Sequence, residues 1–310
     1  LKAVPRTDRI QLAPMIEEVL ADLSPLAESW ELSCHEAGPS VVASGKWAGR
    51  TLAQVLAVHP QFVGTKAEKA GEFPLLIKLI DAAGPLSVQV HPDDDYAERV
   101  EHALGKTEMW YVLDAGESAG IYYGFKRETT LKEMKAAIES NTLTELLNWV
   151  PVKKGECFFI PAGTVHAIGA GLLIAEVQQS SNLTYRVYDY GRLGADGKPR
   201  PLHIDKALAR RDPPQTPVGP TEPEQSVAGG SVQPLFACDK FTTAVLTVEG
   251  TMSDSVSNES FVSLLTVEGE GTLSYRGETY PLKKGQSVFL PAGMGTYELT
   301  GRMQVLRTRV

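Results

Sequence analysis

Cysteine is scarce in this chain: Cys34, Cys157 and Cys238 are odd in number, far apart and form no C-x-x-C pair. That argues against a zinc knuckle and for a reducing, cytoplasmic setting. No uninterrupted apolar run is long enough to cross a bilayer, so no membrane partner is expected. No leader of charged, then apolar, then small residues opens the chain. The first residue is Leu rather than Met, as expected of a sequence that begins after its true start. Positive charge is also short, with a formal net charge of -8. A nucleic-acid partner is therefore not expected, because phosphate contacts need clustered Lys and Arg. An anionic small molecule in a local basic pocket stays open. What remains is ordinary globular composition, 43% hydrophobic and 22% charged. At 310 residues the chain exceeds the size at which one core stops growing, so two domains or one duplicated unit are expected.

The stretch Ser87-Val88-Gln89-Val90-His91-Pro92-Asp93 organises the reading. On a strand, Gln89 and His91 point one way and Val88 and Val90 the other. An imidazole and an amide oxygen form half of a four-coordinate metal site, and taken alone the pair reads as the polar face of an amphipathic strand. Upstream, Met15 to Leu23 are spaced for a helix after Pro14, and Thr51 caps a second helix that ends towards His59-Pro60. The runs Leu75–Ile80 and Leu86–Val90 flank a turn and read as an antiparallel pair. Lys78, the only charge in the first run, reads as an edge-strand lysine with its ammonium in water. If it faces the cavity of Gln89 and His91, it becomes a candidate anion binder. Asp93 to Leu104 is helix-permissive. A strand follows in which Glu108 shares a face with Lys106 and Trp110, and a carboxylate there calls for a nearby metal or cation.

Residues 129–149 turn helical, with Thr142 as a cap, and separate two strand-rich blocks. Val152 to His166 reads turn, strand, Pro/Gly turn, histidine. Leu282 to Thr296 matches it position for position, including K-K-G and P-A-G. This internal repeat implies one strand-rich unit used twice, two β-barrels or jelly rolls. In the second copy Thr296 stands where the first has His166, so any metal belongs to the first. The expected organisation is a catalytic domain over 1–210, a Pro-rich linker over 211–230 and a second domain over 231–310.

Gly155, Pro161, Gly163 and His166 match the second cupin motif, G-x5-P-x-G-x2-H. The variant Gln89-x-His91 with Glu108 further on resembles the type I mannose-6-phosphate isomerases in their shorter bacterial form. So do Trp30-Glu31-Leu32-Ser33, Gly105 to Trp110, Pro161 to His166 and Thr184 to Arg192. The resemblance implies a mainly β protein of two cupin barrels, the second degenerate. It places a single Zn2+ per chain on Gln89, His91, Glu108 and His166, the family's catalytic arginine on Arg186 and a cavity glutamate on Glu176. It also places substrate-side residues on Lys78 and Ser87 and a lysine beside the metal-binding glutamate on Lys106. The family commonly carries Ser-Asp before that arginine, where this chain reads Ser180-Ser181-Asn182, and its N-terminal Trp-Gly-Gly is absent here.

The implied activity is interconversion of mannose 6-phosphate and fructose 6-phosphate through a cis-enediol, with Lys106 preferred for proton transfer and Glu176 the alternative. The implied partner is a small sugar phosphate, in a monomer or a dimer. Two rivals stand beside this reading: another metal-dependent cupin enzyme, such as an iron dioxygenase, and a non-catalytic sugar-phosphate-binding cupin, which Asn182 favours.

Overall fold

A computed structural model describes residues 28–68, 72–193, 197–208, 219–220 and 222–310, with the backbone of Ile10–Leu12. The helix expected after Pro14 lies outside the described residues, except that Glu28 already begins a strand. Much of the 211–230 linker lies outside them as well. The chain forms two compact units, Leu1–Lys78 with Pro220–Val310, and Leu79–Gly219.

The first unit contributes β1 (Ile10–Leu12), β2 (Glu28–Leu32), α1 (Leu52–Val58), α2 (Thr65–Glu68) and the start of β3 (Leu75–Ala82), which runs on into the second. Thr51 caps α1 as expected. Its hydroxyl accepts from the Gln54 amide at 3.2 Å, and the Gln54 side chain accepts from the Thr51 amide at 3.0 Å, a reciprocal capping box.

The second unit contains β4 (Val88–Val90), α3 (Asp94–Glu101), β5 (Glu108–Ala115), β6 (Gly120–Phe125), α4 (Leu131–Glu139), β7 (Leu147–Pro151), β8 (Cys157–Ile160), β9 (His166–Ile168), β10 (Leu172–Gln179), β11 (Tyr185–Tyr188) and α5 (Ile204–Leu208). One sheet holds β3, β10, β5 and β8 side by side, and a second runs β11-β4-β9-β6-β7. Ile80, Trp110 and Ile174 from the first meet Ile121, Tyr123 and Ile168 from the second in one core, the double-sheet jelly roll of a cupin. Alternation places Val88, Val90, Ala167 and Val187 on the outer face of the second sheet. Met134, Ala137 and Ile138 of α4 cover that face.

Two expectations fail here. The runs around Asp81–Pro85 do not pair, because β3 and β4 lie in different sheets and the Leu86 amide donates to Ile168 O instead. A turn between two apolar runs marks a reversal but does not say which neighbour each strand takes. The helical stretch is also shorter than 129–149. Thr130 caps α4, Thr142 stands at the N-cap position of the 3-10 turn Leu143–Glu145 without a side-chain cap bond, and the chain is already extended at Leu147, where β7 pairs with β6.

The first unit resumes with β12 (Gln225–Val227), inside the expected linker. It continues through β13 (Gly230–Ala237), β14 (Thr242–Val248), β15 (Thr251–Val256), β16 (Val262–Tyr275), β17 (Glu278–Lys283), β18 (Ser287–Leu290) and β19 (Gly295–Arg309). With β1 they make a nine-stranded sheet among the described residues, closed on a core that includes Leu264, Leu273, Val288, Leu290 and Tyr297.

The repeat holds at the level of single hydrogen bonds. Gly155 and Gly285 both take the left-handed conformation, with φ of 87° and 83°, which a side chain would strain. Their amides donate to Val112 O and Thr266 O, each at 2.8 Å, and Gly163 and Gly293 donate to His91 O and Ser257 O. Among the described residues no helix is long and apolar enough to cross a membrane.

Candidate functional site

Strand pairing in the second unit assembles a row of side chains. Arg186 on β11 stands opposite Gln89 on β4, Gln89 opposite His166 on β9, and His166 opposite Tyr123 on β6. Directly opposed residues share a face, so the row looks into the interior, and His91, two residues beyond Gln89, looks the same way. From the other sheet Glu108 faces them. His91, Glu108 and His166 bring one ligand atom each to within 4.8 Å of one another, and all three are buried.

The histidines are held so that the same ring nitrogen is presented. His91 Nδ1 lies 2.9 Å from Leu183 O, and His166 Nδ1 lies 2.9 Å from Thr164 O. With Nδ1–H donated to a carbonyl, each Nε2 keeps its lone pair. Those Nε2 atoms lie 3.5 Å and 3.2 Å from Glu108 oxygens and have no aligned hydrogen-bond partner among the described residues. Burial of two imidazole nitrogens without hydrogen-bond partners beside a carboxylate is costly, and a divalent cation taking the two imidazoles and the carboxylate satisfies them. Gln89, half-buried in the same row, is placed to add a fourth donor.

Electrostatics fit the same arrangement. Burial raises the Glu108 carboxyl, but the Lys106 ammonium and the two imidazoles outweigh it and hold that carboxyl well below the usual range. Burial, followed by Lys106, pushes the His91 imidazolium well down, so the ring is neutral. Lys106 Nζ lies 3.1 Å from Glu108 Oε2. Its backbone is clasped from both sides: the Gly105 amide donates to Asp94 Oδ1, and the Thr107 amide to Gln179 Oε1. Gln179 donates in turn to Asp94. No side chain fits at Gly105, where a Cβ would lie 2.6 Å from the Asp94 amide.

The other candidates fall as follows. Glu176 is buried opposite Trp110 and accepts its indole N–H at 2.9 Å, and Trp110 packs edge-on against His166. The Arg186 guanidinium donates to Ser87 Oγ at 3.2 Å and to Pro201 O at 3.1 Å. Lys78 belongs to the first unit, is buried rather than in water, and lies 3.5 Å from Glu28 Oε2 and 5.1 Å from the Trp30 ring. Asn182 is exposed.

Sequence reasoning assigned no role to Asp189, Arg192 or Arg200. Asp189 is buried and accepts from both arginines, Arg200 donating at 2.7 Å through Nε and Nη2. Asp189 and Arg192 lie inside the stretch Thr184 to Arg192, while nothing local signals Arg200.

The second barrel lacks the site. Ser255 pairs with Thr296 as Gln89 pairs with His166, and Val262 pairs with Leu290 as Glu108 pairs with Ile160. Ser257 matches His91 through the Gly293 bond. Two serines, a valine and a threonine therefore stand at the four positions.

Fold and site together define a cupin with one buried His-Glu-His centre and a degenerate partner barrel. The description "Phosphomannose isomerase type I, catalytic domain" matches residues 8–118, and "Mannose-6-phosphate isomerase, cupin domain" matches residues 232–310. Mannose-6-phosphate isomerase ManA of Bacillus subtilis is 39% identical over 275 residues, 88% of this chain and 86% of that protein. Mannose-6-phosphate isomerase of Streptococcus mutans is 36% identical over 279 residues, covering 90% and 87%. The crystal structure of the Bacillus subtilis mannose 6-phosphate isomerase matches with a TM-score of 0.87 at 33% identity, over 98% of this chain and 100% of that one. This chain belongs to the type I mannose-6-phosphate isomerase family.

Proposed function

We propose that the chain interconverts mannose 6-phosphate and fructose 6-phosphate through a cis-enediol, with one Zn2+ held by Gln89, His91, Glu108 and His166. The observation that carries the reading is the convergence of two unpartnered imidazole Nε2 atoms on one carboxylate, all buried. Two imidazoles, one carboxylate and one neutral amide oxygen suit zinc and leave the centre with net positive charge. When bound, the ion supplies Lewis acidity towards substrate oxygens.

The chain's own residues supply the rest. Lys106, held beside Glu108 by the Asp94 and Gln179 clasp, moves the proton between C2 and C1. Glu176, fixed by the Trp110 indole, is the second group able to exchange a proton there. Ser87 and Arg186, bonded to each other, orient the sugar. Arg186, Arg192 and Arg200 present three guanidiniums against the single carboxylate of Asp189, a surplus of positive charge that fits the phosphate. Asn182, the reason to weigh a non-catalytic binding cupin, is exposed.

A coupled assay from fructose 6-phosphate to mannose 6-phosphate tests the reading. Turnover is expected, with loss on chelation and recovery with Zn2+. A metal-loaded protein that binds the sugar phosphate without turnover rejects it. Lys106→Met is expected to lower kcat by about 10² or more with metal retained, and near-normal turnover would reassign the proton transfer.

A further inference from the structure

Strands β10 and β5 set Ile174, Glu176 and Gln178 opposite Val112, Trp110 and Glu108. Opposed residues share a face, so this interior wall passes from apolar to charged, and Gln178 stands at the charged end beside Glu108. Gln178 is fully buried. Its amide nitrogen donates to Gln179 O at 2.8 Å and to Ser181 O at 2.7 Å. Those two carbonyls decide which way the amide is turned, because the reversed amide would set Oε1 against two other oxygens. Oε1 is consequently aimed away from them. It is buried and has no hydrogen-bond partner among the described residues. A buried acceptor in a folded protein is rarely left so unless water, an ion or a ligand completes it.

We propose that Gln178 is a substrate-contacting residue whose Oε1 accepts a hydrogen bond from a hydroxyl of the bound sugar phosphate. The assignment rests on the sugar-phosphate reading above. A hydroxyl suits the position because it brings a donor, whereas phosphate oxygens are acceptors and would be repelled by a carbonyl.

Gln178→Met keeps the length of the side chain and removes the acceptor. Calorimetric titration of the metal-loaded protein with a hexitol 6-phosphate, which cannot isomerise, and with inorganic phosphate gives the readout. The variant is expected to bind the hexitol phosphate about 10-fold or more weakly, to bind inorganic phosphate within about twofold of the parent, and to keep its metal. Unchanged hexitol phosphate affinity overturns the proposal. So does equal weakening of both ligands, or loss of metal, since either means that Gln178 only supports the turn or the metal. Should the variant not fold, the parent protein carries the test with hexitol phosphates deoxygenated at C3, C4 or C5. One missing hydroxyl is then expected to cost about 10-fold, and a flat series overturns the proposal. A parent protein that neither binds hexitol phosphate nor isomerises mannose 6-phosphate rejects the functional reading itself.

Discussion

Gln89 and His91 are the polar face of a three-residue strand, and their neighbours decide what that face is for. Alternation alone puts both on one side, the Pro-x-Gly-x2-His motif supplies His166, and the pairing of β4 with β9 sets it beside them. Glu108 was legible as a carboxylate too costly to bury alone, and it lies with Lys106 and the two imidazoles. That pairing makes a testable demand. Glu108→Gln keeps the volume but removes the carboxylate that lies 3.1 Å from the buried Lys106 ammonium, so the metal-free protein is expected to lose about 3–5 kcal/mol in urea denaturation. Adding Lys106→Met is expected to restore most of it, and strict additivity of the two substitutions would show that the groups are not coupled. The roles of Asp189 and Arg200 were not legible, because the bond between them depends on a loop return that no local pattern announces.

At the scale of elements, turn and cap chemistry was the most readable part. The K-K-G and P-A-G signatures mark both copies of the same strand and turn because glycine adopts their positive φ without the strain a side chain would meet. Helix α4 was legible in kind and at its start, but was read about ten residues too long at its C-terminal end. Thr130 caps it through a reciprocal bond with Glu133, and Thr130→Ala is expected to cost about 1 kcal/mol by thermal or chemical denaturation. Because α4 covers the outer face of the sheet that carries Gln89 and His166, the loss should appear in the same transition that metal binding stabilises. The β3 and β4 pairing failed for a different reason. Both runs are strands, but a jelly roll sends them to different sheets, and hydrophobic pattern does not encode the partner.

For the whole molecule, stability should depend on metal and on acid. A ligand that binds only the folded state adds about 2.7 kcal/mol at one hundred times its Kd. Melting of the second unit is therefore expected to rise with Zn2+ in calorimetry, and a protein with His91→Ala is expected not to respond. Acid sensitivity of the first unit has a different source. Asp254 accepts from Arg307 Nη1 at 2.8 Å, Arg309 Nη2 at 2.9 Å and Tyr297 Oη at 2.8 Å. Burial raises its carboxyl, but the two guanidiniums outweigh it and hold it below the usual range. A depressed folded pKa means stability that is fully present above the unfolded value, about 3.9, and lost as pH falls through the folded value. Asp254→Asn is expected to lower stability near neutral pH by about 1–3 kcal/mol and to flatten its decline below about pH 4. An unchanged acid limb in urea titrations would assign that decline to other carboxylates.

By itself the sequence determined the class of fold, the duplication and three members of the buried centre. The duplication follows from glycine-dependent turns and motif spacing, which act over a few residues, and the cupin fold and the members of the centre follow from the family resemblance that those motifs carry. Only the tertiary structure decided which strands are neighbours, that Lys78 is buried against Glu28 rather than in water, that Asn182 faces solvent, and that Gln178 buries a side-chain carbonyl without a hydrogen-bond partner among the described residues. Each of those depends on groups far apart in the chain meeting across strands and loops, and no local pattern records such meetings.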